Sequence, residues 1–162
     1  MIVYVVRHAW AEDRDEAVYP NDDLRPLTAK GKKRFRRVVK RLVKRGFCPR
    51  QIATSPLVRC RQTADLMAEF VPQAPSLEEL DGLKPGGRLE PLLAWTAECG
   101  EGDVAWVGHA PDVEELTAAL IGGGEAALHF AKGAVAAVEF TGHVAGGQGR
   151  LLWLATAELL KA

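Results

Sequence analysis

The sequence predicts an α/β protein, a three-layer α/β/α sandwich with a mostly parallel central sheet and a C-terminal antiparallel hairpin. Three observations carry this expectation. Strand-like and helix-like segments alternate for most of the chain, the pattern of a parallel sheet with helical crossovers. The first strand candidate is apolar on both faces, as a strand covered by helices above and below must be. Near the C-terminus the alternation gives way to two strand-like runs separated by a glycine-rich stretch.

Residues 2–6, IVYVV, are β-branched or aromatic throughout and end abruptly at Arg7-His8, so they predict a buried central strand. Residues 11–26 are polar, acidic and punctuated by Pro20 and Pro26, and read as a loop. Thr28 then supplies an N-cap. Phe35, Val38, Val39, Leu42 and Val43 follow at helical spacing among lysines and arginines, and Gly46 ends the helix. Residues 51–54 predict a short strand, cut off by Ser55-Pro56, and residues 57–70 a second amphipathic helix with Pro72 beyond it. A short strand at 76–80 leads through a Gly- and Pro-rich turn at 82–87 to a helix at 89–97. Residues 103–107 predict another buried strand ending at Gly108-His109, and Pro111 suits the first turn of a helix reaching about residue 121. Residues 134–140 and 150–155 form the hairpin, joined through 142–149.

At 162 residues the chain is expected to be a single domain, 1–162. Its 48% apolar and 26% charged content excludes disorder, a coiled coil and a collagen-like fibre. No apolar run approaches the roughly 18 residues that a spanning helix needs, so no membrane association is expected. Six residues precede Arg7, too few for a signal-peptide core. Cys48, Cys60 and Cys99 are an odd set without metal-ligand spacing, which predicts reduced thiols in a cytoplasmic protein. Nothing in the sequence calls for an oligomer, and a monomer is compatible with all of it. The formal net charge of zero hides an asymmetry: residues 24–64 hold 14 Lys or Arg and no Asp or Glu. Such a stretch creates a local positive potential on a neutral molecule.

In open parallel sheets, ligands sit outside the carboxyl ends of the strands. Three predicted strands deliver polar residues there: Arg7-His8, Ser55 with Arg59 one turn into the next helix, and His109. Two histidines and two arginines suit phosphoryl transfer through histidine. Imidazole, with an ordinary pKa of about 6.5, is largely unprotonated and nucleophilic near neutrality. Guanidinium forks match phosphoryl oxygens two at a time. A second, protonated histidine adds a donor where negative charge builds up. The P-loop spacing and any zinc-type Cys/His cluster are absent from the sequence, so neither a metal nor another cofactor is expected.

Arg7-His8-Ala9, Arg25-Pro26-Leu27-Thr28, the run from Ser55 through Arg59 to Ala64, and Val107-Gly108-His109-Ala110-Pro111 together resemble the histidine phosphatase superfamily. The four motifs come in order and cover essentially the whole chain; the RHA form and the RPLT segment look most like the SixA-type phosphohistidine phosphatases. The resemblance implies a phosphoglycerate-mutase-like fold, His8 as the nucleophile that becomes phosphorylated, and Arg7, Arg59 and His109 around the phosphoryl group. It brings Arg25 toward the site from its loop; Ser55, by its place at a strand end, is expected to face the substrate.

Ala9 stands where many members have glycine, a change compatible with an ordinary backbone. Members that act on oxygen esters use a carboxylic acid to protonate the leaving group. Here Glu78, Glu79 and Asp81 are on offer: Glu79 fits one alignment, and another puts Gly82 at that position. An alkoxide needs that proton more than an imidazole does, since imidazole's conjugate acid lies near neutrality. The substrate expected first is therefore phosphohistidine on a partner protein. A small phosphate ester, with Glu79 as acid, is the second reading, and a non-catalytic module binding phosphate or acidic partners is the third. The 49 residues between Arg59 and His109 leave little room for an inserted cap. The basic helix around residues 30–45 lacks interleaved stacking aromatics, so nucleic acid is not the expected partner.

Overall fold

Val3 and Val5 face one side of the first strand, Tyr4 and Val6 the other, and all four are buried. A strand buried on both faces belongs in the middle of a covered sheet. The computed structural model describes residues 1–122 and 126–162. Its strands are β1 (Ile2–Arg7), β2 (Gln51–Thr54), β3 (Ser76–Glu79), β4 (Val104–Gly108), β5 (Val135–Glu139) and β6 (Arg150–Ala155). They form one mixed sheet in the order β3-β2-β4-β1-β5-β6. β1 to β4 run parallel, β5 pairs antiparallel with β1, and β6 antiparallel with β5. This is the expected mostly parallel sheet with a terminal hairpin.

Alternation along the strands divides the core in two. Helices α1 (Ala29–Val43) and α2 (Val58–Ala68) pack with Tyr4 and Val6 on one face. Helices α3 (Leu89–Glu98) and α4 (Asp112–Gly122) pack with Val3, Val5 and Trp106 on the other. Trp95 and Trp106 are core residues, their indole N–H groups donating to Glu78 and Thr96.

Three strand tips are tied into one edge. Arg7 is registered against Gly108 and Thr54 against Val107. One further hydrogen bond each extends the ladders, from the His8 N–H to the Gly108 carbonyl (3.0 Å) and from the Ser55 N–H to the Val107 carbonyl (2.9 Å). The sheet therefore sets His8, Ser55 and His109 side by side.

The loop between β1 and α1 is more ordered than its composition predicts. Ala11 bridges to Leu27, and Asp22–Leu24 form a 3-10 turn whose Asp23 N–H donates to the Asn21 side chain at 3.0 Å. α1 begins as predicted, with the Thr28 hydroxyl accepting from the Gly31 N–H at 2.8 Å. Gly31 is required there: a Cβ would stand 2.3 Å from the Trp10 carbonyl oxygen. α1 is thus seated on the segment that immediately follows His8.

Candidate active site

The ends of β1 and β4 bring two buried histidines together, His8 and His109, with ring centroids 5.3 Å apart and planes at 61°. They open onto a cleft of about 460 Å³. Its other walls are Arg14, Asp22 and Arg25 from the β1–α1 loop, Arg59 from α2, Pro85-Gly86, and Ala110 to Asp112.

The tautomer of His8 follows from its partner. Nδ1 lies 2.7 Å from the Ala9 carbonyl oxygen. A carbonyl only accepts, so Nδ1 carries the proton and Nε2 the lone pair. Burial, reinforced by the charges of Arg59, Arg7 and Arg25, lowers the His8 pKa to about 4 against the opposing bond to Ala9. The nitrogen with the lone pair is thus unprotonated at every physiological pH. His109 is lowered further, to about 3, first by burial and then by Arg59 and His8. An arriving phosphoryl anion reverses that balance, because a nearby negative charge favours the charged imidazolium.

His109 is fixed from behind. Its Nε2 lies 3.0 Å from the Ser55 hydroxyl and 3.4 Å from the Cys60 sulfur. Ser55 is fully buried and does not line the cleft, so the structure sets it against His109 and away from a substrate. Burial pushes the Cys60 thiol well above its usual range.

The arginines are held by a carboxylate that sequence reasoning missed. Asp22 receives Arg59 at 3.2 Å and Arg25 at 2.7 Å, and its carbonyl oxygen accepts from Arg59 at 2.9 Å. Hydrogen bonding to Arg25, followed by the charge of Arg59, lowers the Asp22 pKa despite some burial. Arg25 also donates to the Glu12 carbonyl at 2.8 Å. Arg7 does not line the cleft; one of its guanidinium nitrogens lies on the Phe130 carbonyl, 2.6 Å away, and its charge reaches His8. Among the described residues, two buried side-chain polar atoms lack a partner, and they are Nε of Arg7 and Nε of Arg59. Both are donors, and unmade buried hydrogen bonds are costly, so each leaves a guanidinium N–H open to a further acceptor.

The three candidate acids lie elsewhere. Glu79 is half-exposed and pairs with Arg61 at 3.0 Å; Glu78 accepts from Trp95, and Asp81 pairs with Lys84. None of them lines the cleft. Its carboxylates are Asp22 and Asp112, and Asp112 accepts the Gly86 and Gly87 N–H groups at 2.9 and 3.1 Å. Arg14, Asp22 and Asp112 gave no usable signal in the sequence, apart from Asp112's place after Pro111 at a helix start. Trp10 does not line the cleft either: it lies under the Arg34 guanidinium, 4.4 Å from its ring centroid.

Residues 3–141 match the sequence model of the histidine phosphatase superfamily (branch 1). The chain belongs to that family. It is 39% identical over 123 residues to an uncharacterized protein of Picosynechococcus sp., covering 74% of this chain and 73% of that one. The solved structure of the protein histidine phosphatase SixA complexed with tungstate superposes with a TM-score of 0.85 at 26% identity, over 99% of both chains. A SixA structure from Agrobacterium tumefaciens gives 0.76 at 26% identity, over 96% of this chain and 97% of its own. This histidine phosphatase is therefore SixA-like in fold, and phosphatase is its activity class. No helix among the described residues is long and apolar enough to cross a membrane.

Proposed function

We propose that the chain hydrolyses phosphohistidine displayed on a partner protein, through a phosphorylated His8. His8 Nε2 attacks phosphorus in line with the scissile P–N bond. As the new P–N bond to His8 forms, the old one breaks, and the departing imidazole nitrogen takes a proton from solvent. Water then attacks phospho-His8, releasing inorganic phosphate and returning the imidazole to its starting tautomer. Arg7 and Arg59 neutralise the transferring group, and His109 donates to one of its oxygens once the bound anion has raised its pKa. Asp22 holds Arg25 and Arg59 in place between turnovers.

The observation that carries this reading is the pair of orphaned guanidinium donors, Arg7 Nε and Arg59 Nε, beside a histidine whose lone-pair nitrogen is defined. The SixA relative is complexed with tungstate, a tetrahedral oxyanion, which supports an oxyanion-binding role for the fold shared here. The substrate class rests on the acids. Both cleft carboxylates are engaged, Asp22 by arginines and Asp112 by backbone N–H groups, which suits a leaving group that needs little protonation. The chain from β3 to β4 is occupied by a turn and α3 with no inserted cap, which suits a histidine presented on a protein surface.

The test is paired turnover of a chemically phosphorylated histidine protein and of an aryl phosphate, in wild type and His8→Ala, with chelator present. The expected result is preference for phosphohistidine and loss of at least about 10³-fold in the variant. Preference for the ester would keep His8 as nucleophile and move the substrate to small phosphate esters. No turnover of either, with phosphate binding retained in His8→Ala, would make the chain a binding module.

A further inference from the structure

The outer edge of α1 carries Lys30, Lys33, Arg37, Lys40 and Lys44, all exposed. Steps of three and four residues stack them in one stripe, about 21 Å long at roughly 1.5 Å of rise per residue. The helix contains no Asp or Glu. Among the described residues none of the five makes an ion pair; Arg36 alone on α1 does, with Glu69 on the flank toward α2. Arg34 and Arg41 turn to the opposite flank, onto the Ala162 and Leu160 carbonyls. Like charges one turn apart destabilise a helix, so the stripe costs stability that an ordinary solvated face, with both signs interspersed, would not lose.

The stripe begins beside the segment that follows His8. The Thr28 N–H that opens α1 donates to the Trp10 carbonyl at 2.9 Å, two residues after His8. Lys30 and Lys132 line a shallow groove along Trp10. Asp13 lines the same groove, in a loop segment, residues 12–16, that also holds Glu12, Asp15 and Glu16 and a single base, Arg14, which lines the cleft. The head of the positive ridge therefore meets a mostly negative loop across this groove, a groove separate from the cleft. That pattern attracts an acidic surface along α1, repels it from the loop, and so fixes the direction of approach.

A nucleic acid fits this surface less well. Phe35 is fully buried, Phe70 lies beneath Lys40 at 4.7 Å, and Trp10 is covered by Arg34, so no bare ring is offered to a base. The acidic loop opposes a continuous polyanion. We propose that the ridge from Lys30 to Lys44 docks an acidic face of the phosphoprotein substrate and orients it over His8; this rests on the phosphohistidine reading above.

The test combines binding and turnover in wild type and in the triple variant Lys30→Glu, Lys33→Glu, Arg37→Glu, after a thermal melt has shown that the variant is folded. The binding probe is a fluorescent helical peptide with one glutamate per turn and no phosphate. The turnover probes are phosphohistidine peptides with glutamate-rich or with neutral flanks, and free phosphohistidine. Wild type is expected to bind the acidic peptide with an affinity that falls steeply with salt, and the variant at least about tenfold more weakly. On the glutamate-flanked substrate the variant raises KM about tenfold with kcat unchanged, while free phosphohistidine turnover stays within about twofold. Equal binding of the acidic peptide by both proteins would overturn the ridge, whatever the turnover. Tighter binding of a single-stranded oligonucleotide than of the acidic peptide, at physiological salt, would also overturn it. Ridge-dependent binding with no turnover of any phosphohistidine probe would support the ridge and sink the substrate reading instead.

Discussion

Two clusters of positive charge lie within one stretch of this chain, and they are built in opposite ways. The guanidiniums around His8 are held: Arg59 is almost wholly buried and gripped by Asp22, and Arg7 is anchored on the Phe130 carbonyl. The five ridge cations, Lys30, Lys33, Arg37, Lys40 and Lys44, stand in water with no ion-pair partner among the described residues. Burial removes the screening that weakens an exposed charge, so the first cluster acts strongly over one bond length and the second weakly over many. A fixed charge stabilises a transition state, because no reorganisation is needed when the reaction occurs. A solvated stripe changes how often, and in what orientation, a partner arrives.

The contrast is broken most sharply at Arg59. Arg59→Lys keeps the charge and removes the planar fork, along with the bonds to Asp22. Turnover of every phosphorylated substrate, small or large, is expected to fall about 10²-fold, or about 2.7 kcal/mol of transition-state stabilisation. The same exchange in the ridge, Arg37→Lys, is expected to change nothing measurable, since a solvated charge has no geometry to lose. Kinetics of both variants on an aryl phosphate and on a phosphohistidine peptide make the comparison; equal effects at the two positions would erase the distinction.

Burial also sets the protonation of the two histidines. His8 is lowered to about 4 and His109 to about 3, mainly by desolvation, so both rings stay neutral in the free enzyme down to about pH 5. The sign for stability follows from proton counts. Between about pH 4 and the ordinary value of 6.5, the unfolded chain binds more protons at these positions than the folded one. Their contribution therefore lowers folding stability as pH falls below about 6.5. Ring resonances of His8 and His109 followed by NMR should not titrate between pH 7.5 and about 5.5 in the free protein. Saturating tungstate should move their midpoints upward. Midpoints near 6.5 without the anion would show that the cleft is wetter than its packing implies.

Asp22 couples the cleft to its loop, and its removal is expected to have a smaller effect. Its carboxylate occupies donors of Arg25 and Arg59 that an incoming oxyanion also uses. Asp22 is about one-third exposed, so screening limits the strength of that competition. Asp22→Asn should tighten inhibition by inorganic phosphate about threefold. Weaker inhibition would mean that orienting Arg59 matters more than competing for it.

Much of this was legible in the sequence because it repeats a local rule. The two-sided apolar run at the N-terminus, the helical spacing from Phe35 to Val43 and the polar residues just beyond each strand all follow from alternation, and together they placed His8, Arg59 and His109 at one edge. Asp22 and Arg14 were not legible. Their positions depend on the 3-10 turn and on the bridge from Ala11 to Leu27, which fold the loop back over the cleft. Ser55 was legible as a strand-end residue; that it turns behind His109 is decided by packing between β2 and β4.

Glu79 gives the smallest expected effect and the finest discrimination. It was selected on the sequence as the candidate acid for ester hydrolysis, and its backbone does lie at the right end of β3. Its side chain instead meets Arg61 at 3.0 Å, and Arg61 keeps Asp65 as a second partner at 3.1 Å. Both members of the pair are more than two-fifths exposed, where such a contact is worth little, and losing one of two carboxylates leaves Arg61 still paired. Glu79→Gln should therefore change phosphohistidine and aryl phosphate turnover alike by less than about twofold. A loss confined to the ester, of the roughly 10²-fold or more that a missing general acid causes, would mean that Arg61 releases Glu79 to the cleft when substrate is bound. The exposed pair would then be a resting state of the acid, and the division between held and solvated charge would have to admit a residue that moves between the two.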